Sequence, residues 1–233
     1  MFKLLSTANP KIQKGTKLGY LSFILHLAPS TLSGKNTCPK ATPGCIAACL
    51  NTAGRGGMFK KGENTNMIQK ARIRKARYFF EDRAGFMADL VSDINKAIKF
   101  AAKKNLTPVF RLNGTSDLSW EKYEMTEGKN VFDVFAGIQF YDYTKVLGRK
   151  VKHIENYHLT FSKADGNDSD VAEALMQGMS VVAVYDKIPA GVPSADETDL
   201  RFLDPKGIML GLKAKGRAKK DYSGFVIRLT ESA

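Results

Sequence analysis

The sequence predicts a single α/β domain folded as a complete or partial (β/α) barrel with mostly parallel strands, and three observations carry that expectation. Short apolar segments rich in β-branched and aromatic residues alternate with stretches of helical periodicity. Polar and charged residues gather at or just past the C-terminal ends of these segments, as Arg111 and Asn113, Asp142 and Lys145, Ser162 and Lys163, Asp186 and Lys213 do. In a barrel such ends converge on one mouth, where active sites are built. Finally, 233 residues without internal repeats or low-complexity tracts suit one large domain.

The strands are expected within residues 20–30, 107–117, 137–145, 157–165, 180–187, 207–216 and 224–229. Between them, Phe86, Leu90, Val91, Ile94, Ala97, Ile98 and Ala101 recur at steps of three and four, giving a helix with one apolar face. A second helix, from Met67 to Phe80, places Lys70, Arg74 and Arg77 along one side. The one long loop, residues 187–199, reads as a surface excursion or lid.

No apolar run approaches the roughly 18 residues of a membrane span, and the N-terminus lacks the pattern of a secretory signal, so a cytoplasmic protein without membrane contact is expected. The formal charge of +13 favours an anionic partner, either nucleic acid or an anionic small molecule. Two stretches concentrate it. Residues 54–77 carry eight basic residues against Glu63 alone, and residues 205–220 carry six with no acidic one. A solvated, solubilising surface is the bland alternative to phosphate contact.

Every cysteine of the chain, Cys38, Cys45 and Cys49, lies within residues 36–57. An odd number in a cytosolic setting makes a disulfide framework the weakest reading. Pro43 and Gly44 can open a helix at Cys45, and Cys49 would return to the same helical face with Cβ atoms about 5–6 Å apart. Cys38 would fold over from a flexible approach loop, so that three thiolates converge on one metal. Structural zinc wants a fourth ligand, which His26, His153 or His158 would have to bring from afar. A 4Fe-4S cluster on three cysteines keeps one iron open, a place where S-adenosylmethionine could bind and be cleaved reductively.

Other residues carry weaker signals. Backbone amides around Arg55, Gly56 and Gly57 could cradle a phosphate or carboxylate, although a turn needs no ligand. Asn113, Ser116, Asp117, Asp142 and Lys145 are expected to line the mouth; Asp117 could equally cap a short helix through Trp120. Ser162 and His158 lie on one strand without a nucleophile elbow, and there is neither a P-loop nor a dinucleotide fingerprint, which argues against hydrolase, ATPase and NAD-dependent functions.

A three-cysteine loop directly after the first strand of a β/α barrel, here spaced Cys-x6-Cys-x3-Cys, resembles the radical S-adenosylmethionine superfamily. That resemblance implies a 4Fe-4S cluster held by Cys38, Cys45 and Cys49 at the barrel mouth. Over nearly the whole chain, the succession CPKATPGCIAACLNTAGRGG, FRLNGTSDLSWE, YDYTK and GLKAKGRAKKDYSGFVIRL resembles the bacteriophage gene product 88-like family. It implies a phage or mobile-element origin, hence the host cytoplasm. The resulting expectation is an iron–sulfur, radical S-adenosylmethionine-like enzyme acting on nucleic acid or another anionic substrate. The alternative is a phage nucleic-acid or host-protein binding module with a structural zinc or iron–sulfur site.

Overall fold

The computed structural model of the protein describes residues 2–7 and 10–229. In chain order its elements are β1 (Leu5–Ser6), α1 (Pro10–Thr16), β2 (Tyr20–Leu25), α2 (Pro43–Ala47), α3 (Met67–Glu81), α4 (Arg83–Ala102), β3 (Thr107–Arg111), β4 (Glu124–Thr126), β5 (Lys129–Asn130), α5 (Val131–Val134), β6 (Gln139–Thr144), β7 (Tyr157–Ser162), α6 (Asp168–Met176), β8 (Val181–Tyr185), β9 (Met209–Lys213) and β10 (Val226–Ile227). All seven strands expected from the sequence are present, and so are both long helices.

The main sheet runs β1-β2-β3-β6-β7-β8, with β9 along the free side of β8. Every pairing in it is parallel except β1 with β2. Strand β8 has three neighbours. It pairs with β9 along its length, with β7 only at Val181 and Val182, and with β10 at Val184 and Tyr185. Because β9 takes one edge entirely, β7 and β10 share the other: β7 turns away after Ser162 and β10 takes its place. The C-terminal ends of β7 and β8 are thereby wedged apart.

A row of aromatic side chains crosses one face of the sheet, with Phe23, Phe110 and Phe140 in register and ring centroids 5.4 and 5.5 Å apart. The apolar stripe of α4, from Phe86 through Leu90, Ile94 and Ala97 to Ala101, is wholly buried in the same cluster, together with Ala76 and Phe79 of α3. Alternation brings Ser22, Val109, Arg111, Tyr141, Tyr143 and Val182 to the opposite face. Parallel strands buried on both faces need cover there too.

That cover is the connection between β8 and β9, which corrects its reading as a surface excursion. Leu200 is buried against Val109 and Tyr141, and Ala195 against Val182 and Leu210. Asp199 anchors the crossing by accepting from Arg111 at 3.0 Å and from the Tyr143 hydroxyl at 3.4 Å. Arg111 therefore holds this segment rather than lining a mouth. Burial, the largest influence, disfavours its charge, but Asp199 together with Tyr143, Tyr141 and Asp142 outweighs it and raises its pKa. With the second face covered this way the sheet has no need to curl onto itself. Among the described residues no strand pairing joins β9 to β1 or β2, so a mostly parallel sheet is shown and closure into a barrel is not.

Candidate metal centre

The chain between β2 and α3 is fixed by local bonds before it meets any distant residue. Thr37 is buried, and its hydroxyl donates to the Ala28 carbonyl at 2.6 Å. A left-handed turn at Ser30, with φ of 48°, presents the Ser30 N–H to Cys38 Sγ at 3.3 Å. The Cys38 N–H in turn donates to Asn36 Oδ1 at 2.9 Å. Cys38 is thus held in an ordered turn, not carried on a flexible approach loop.

Thr42 and Pro43 start α2 as expected of an N-cap followed by proline at the first helical position. Thr42 Oγ1 accepts from the Cys45 N–H. Asp165, in the loop where β7 leaves the sheet, accepts the Gly44 N–H at 3.0 Å, the Cys45 N–H at 3.2 Å and the Thr42 hydroxyl. Partial burial acts to raise the Asp165 pKa, and these donors together pull it below the ordinary value. Gly44 is required for this approach, since a Cβ there would overlap Ser223 Oγ and lie 2.6 Å from Asp165 Oδ1.

The helix stops at Ala47, so Cys45 and Cys49 do not share a helical face. Ala48 turns inward against Ala214, Ala218 and Val226, and Cys49 leaves in extended conformation with ψ of 135°. Its sulfur then accepts the Asn51 N–H at 3.5 Å and caps a short 3-10 turn, Leu50–Thr52. Tertiary packing, not helical period, sets the thiols within electrostatic reach of one another. All three are free and partly exposed, and each of Cys38 and Cys49 lies within the electrostatic reach of the other two. Burial raises the Cys38 pKa against the pull of the Ser30 N–H, and pushes Cys49 up to about 11.

Of the five polar residues expected at the mouth, Lys145 and Asp117 stand by the thiols. Burial opposes the Lys145 charge, yet the Cys45 sulfur, within hydrogen-bonding reach, and the Asp117 carboxylate outweigh it and hold the ammonium above its ordinary pKa. Asp117 accepts the Lys145 backbone N–H at 2.7 Å and lies close enough to Cys38 to act on it electrostatically. It does not cap the 3-10 turn Trp120–Lys122, whose N-cap residue is Ser119.

Asn113, Ser116 and Asp142 form a buried frame beneath them. Asn113 Oδ1 accepts from Ser116 Oγ, the Leu118 N–H and Trp120 Nε1, and its amide donates to the Leu118 carbonyl at 2.9 Å. Asp142 accepts the Asn113 N–H at 2.7 Å and the Tyr157 hydroxyl at 3.1 Å. Burial pushes its pKa up to about 7, although Arg111, the Asn113 N–H, Arg149 and the Tyr157 hydroxyl all pull it down. The folded value lies above the unfolded one of about 3.9, so the native state holds the proton more tightly. Stability should therefore fall as pH rises from about 4 through 7. Asp142→Asn is expected to flatten that fall, read as the difference in urea midpoint between pH 5 and pH 8.

Arg55, Gly56 and Gly57 form a 3-10 turn, Gly54–Gly57, whose glycines serve close packing. A Cβ at Gly56 would lie 2.6 Å from the Asn51 carbonyl oxygen, and one at Gly57 would overlap that of Thr52. Asn66, the N-cap of α3, donates to the carbonyls of Arg55, Gly56 and Met58. Only the Arg55 side chain is turned to solvent.

Sequence reasoning missed Asp165, Asn51 and Arg72. Arg72 donates to Asn51 Oδ1 at 2.7 Å and to its carbonyl at 3.2 Å, which puts a guanidinium near Cys49. Pro43 marked the start of α2 in the sequence; Asp165 lies 120 residues beyond Cys45 and leaves no local signal.

The donor set can be tested against zinc and against a cluster. No histidine joins the thiols. His26 is a core residue whose Nδ1 faces Ser6 Oγ, and burial first, then Arg72, lowers its pKa to about 3. His158 faces Thr160 Oγ1, and His153 belongs to a surface hollow beside Arg149 and Lys150. Among the described residues no group of three or more His, Cys, Asp or Glu side chains is close enough to share one ion. Zinc–sulfur bonds of about 2.3 Å demand such a tight group. A multi-iron cluster binds each sulfur at a different metal atom and accepts a wider triangle. Three thiols, two of them accepting a backbone N–H, are donors of the type that an iron–sulfur cluster takes.

The sequence profile of the family described as gene product 88 matches residues 3–229. No curated protein matches the chain, and no solved structure does.

Proposed function

The chain belongs to the gene product 88 family, and from that premise we propose that it is an iron–sulfur protein of radical S-adenosylmethionine-like type acting on an anionic substrate. Cys38, Cys45 and Cys49 would hold a 4Fe-4S cluster, which supplies one-electron reduction and an open coordination position for S-adenosylmethionine. The observation that carries the reading is three thiols within electrostatic reach of one another on two separately fixed turns, with Lys145 beside Cys45, at the wedged C-terminal edge of a parallel sheet. That edge is where ligands bind in open α/β sheets. Lys145 and Asp117 would orient the substrate; Asn113, Ser116 and Asp142 hold the strand ends that carry them.

Anaerobic reconstitution with iron and sulfide tests it. Roughly four iron and four sulfide per chain, with absorption around 400 nm, are expected. A chain that takes up no iron, or that binds a single zinc ion in its place, overturns the reading. A second reading, a nucleic-acid or host-protein binding module braced by a structural metal, is favoured by exposed cations such as Arg217, Lys219 and Lys220, which pair with no carboxylate among the described residues. Nucleic-acid binding that persists in a folded C38S/C45S/C49S variant, together with no turnover of S-adenosylmethionine by the loaded wild type, would select it.

A further inference from the structure

The two basic stretches, some 140 residues apart in sequence, meet across the cysteine segment. Gly216 packs on the 3-10 turn after Cys49 with its would-be Cβ 3.2 Å from Ala53 Cα, in a left-handed conformation (φ 58°) that disfavours any side chain. Ala214 and Ala218 bury against Ala48, which turns Arg217, Lys219 and Lys220 outward. On the other flank, Asn66 and Gln69 of α3 tie the turn that bears the exposed Arg55. Among the described residues none of these four cations pairs with a carboxylate, whereas their neighbour Lys215 pairs with Asp196.

Next to this stretch stands Tyr222, 83 % exposed. One face of its ring lies against the Arg228 guanidinium, whose carbon is 4.1 Å from the ring centroid. That guanidinium is fixed by two hydrogen bonds of 2.9 Å, to the carbonyls of Asp221 and Lys219. An exposed tyrosine is thus braced from one side and open on the other. The following residue, Ser223, abuts Gly44, the neighbour of Cys45, so the ring sits on a segment that borders the thiols.

We propose that Tyr222, braced by Arg228, is a stacking platform for a base of single-stranded nucleic acid whose phosphates follow Arg217, Lys219 and Lys220 past the cysteine mouth toward Arg55. The inference rests on the anionic-substrate part of the proposed function and names its class. Cations alone would suit any polyanion. An open aromatic face among them selects a strand with unstacked bases, because a duplex keeps its bases turned inward.

The test is fluorescence anisotropy with a labelled single-stranded DNA of about 15 nucleotides, using the full chain before and after iron–sulfide reconstitution. Binding should weaken steeply with salt. R217Q/K219Q/K220Q should raise Kd at least about tenfold and reduce the salt slope by about 2, near 0.7 for each phosphate no longer neutralised. Tyr222→Ala should raise Kd about tenfold with the slope unchanged, and Tyr222→Phe should restore it. The residue is exposed enough that neither change threatens the fold. Equal affinity for a duplex of the same sequence, or a Tyr222→Ala variant that binds like wild type, overturns the proposal. A chain that takes up iron but not the oligonucleotide sinks this inference alone; one that binds the oligonucleotide but no iron sinks only the cluster.

Discussion

Asn113→Ala is expected to cost at least about 4 kcal/mol of stability, a large part of the 5–15 kcal/mol that holds a typical domain. The substitution removes one side chain but orphans several buried groups: the Trp120 indole N–H, the Leu118 N–H, the Ser116 hydroxyl and the Leu118 carbonyl. Each buried group left without a partner costs about 1–3 kcal/mol. Trp120 is fully buried and its ring packs 5.4 Å from Phe79, so the damage reaches the main core. Urea unfolding measures it. Trp120→Phe, which deletes a single donor and keeps an aromatic ring, should cost far less. In any fraction of Asn113→Ala that remains folded, iron uptake should be retained, because Asn113 frames the site without touching the thiols. Loss of iron in a folded Asn113→Ala protein would place that residue in the site itself.

Cys45→Ser should abolish iron uptake while leaving the fold intact, since a hydroxyl replaces a partly exposed sulfur at almost the same volume. Cys38→Ser and Cys49→Ser should do the same, with serine still able to accept the Ser30 and Asn51 N–H groups. Asp165→Ala is the more telling change, for it removes no ligand. It deletes the carboxylate that accepts the Gly44 and Cys45 N–H groups. Loss of a helix cap costs about 1–2 kcal/mol. Loss of a residue that orients a ligand typically weakens metal affinity about 10–100-fold. Iron analysis after reconstitution at limiting iron, with thermal unfolding in parallel, separates the two effects. Wild-type iron occupancy in Asp165→Ala would show that α2 places Cys45 unaided.

Much of the fold was legible because its signals are local. The seven strands announce themselves as short apolar runs, and the α4 stripe from Phe86 to Ala101 fixes both the helix and its buried face. Sheet closure was not legible: polar residues at strand ends look alike whether the strands form a barrel or an open sheet. Arg111 shows the ambiguity, since its place after an apolar run suits a mouth, yet the side chain points to the face where Asp199 crosses. In the site, the concentration of cysteines within 22 residues marked the place. Helical spacing misled about Cys49, because burial of Ala48 against Ala214 and Ala218 ends α2 a turn early.

The sequence by itself determined the α/β class, the strands and helices, the positive charge and the gathering of all three cysteines in one segment. These follow from composition and short-range periodicity, which act within a few residues. Only the tertiary structure decided which strands pair and what covers the second face of the sheet, that Asn113 and Asp142 serve as frame while Lys145 and Asp117 stand by the thiols, and that Asp165 and Arg72 brace the cysteine segment. Those outcomes depend on buried polar groups finding partners 20 to 120 positions away. A buried donor or acceptor must be satisfied by whatever the fold brings near, and spacing along the chain carries no record of that choice.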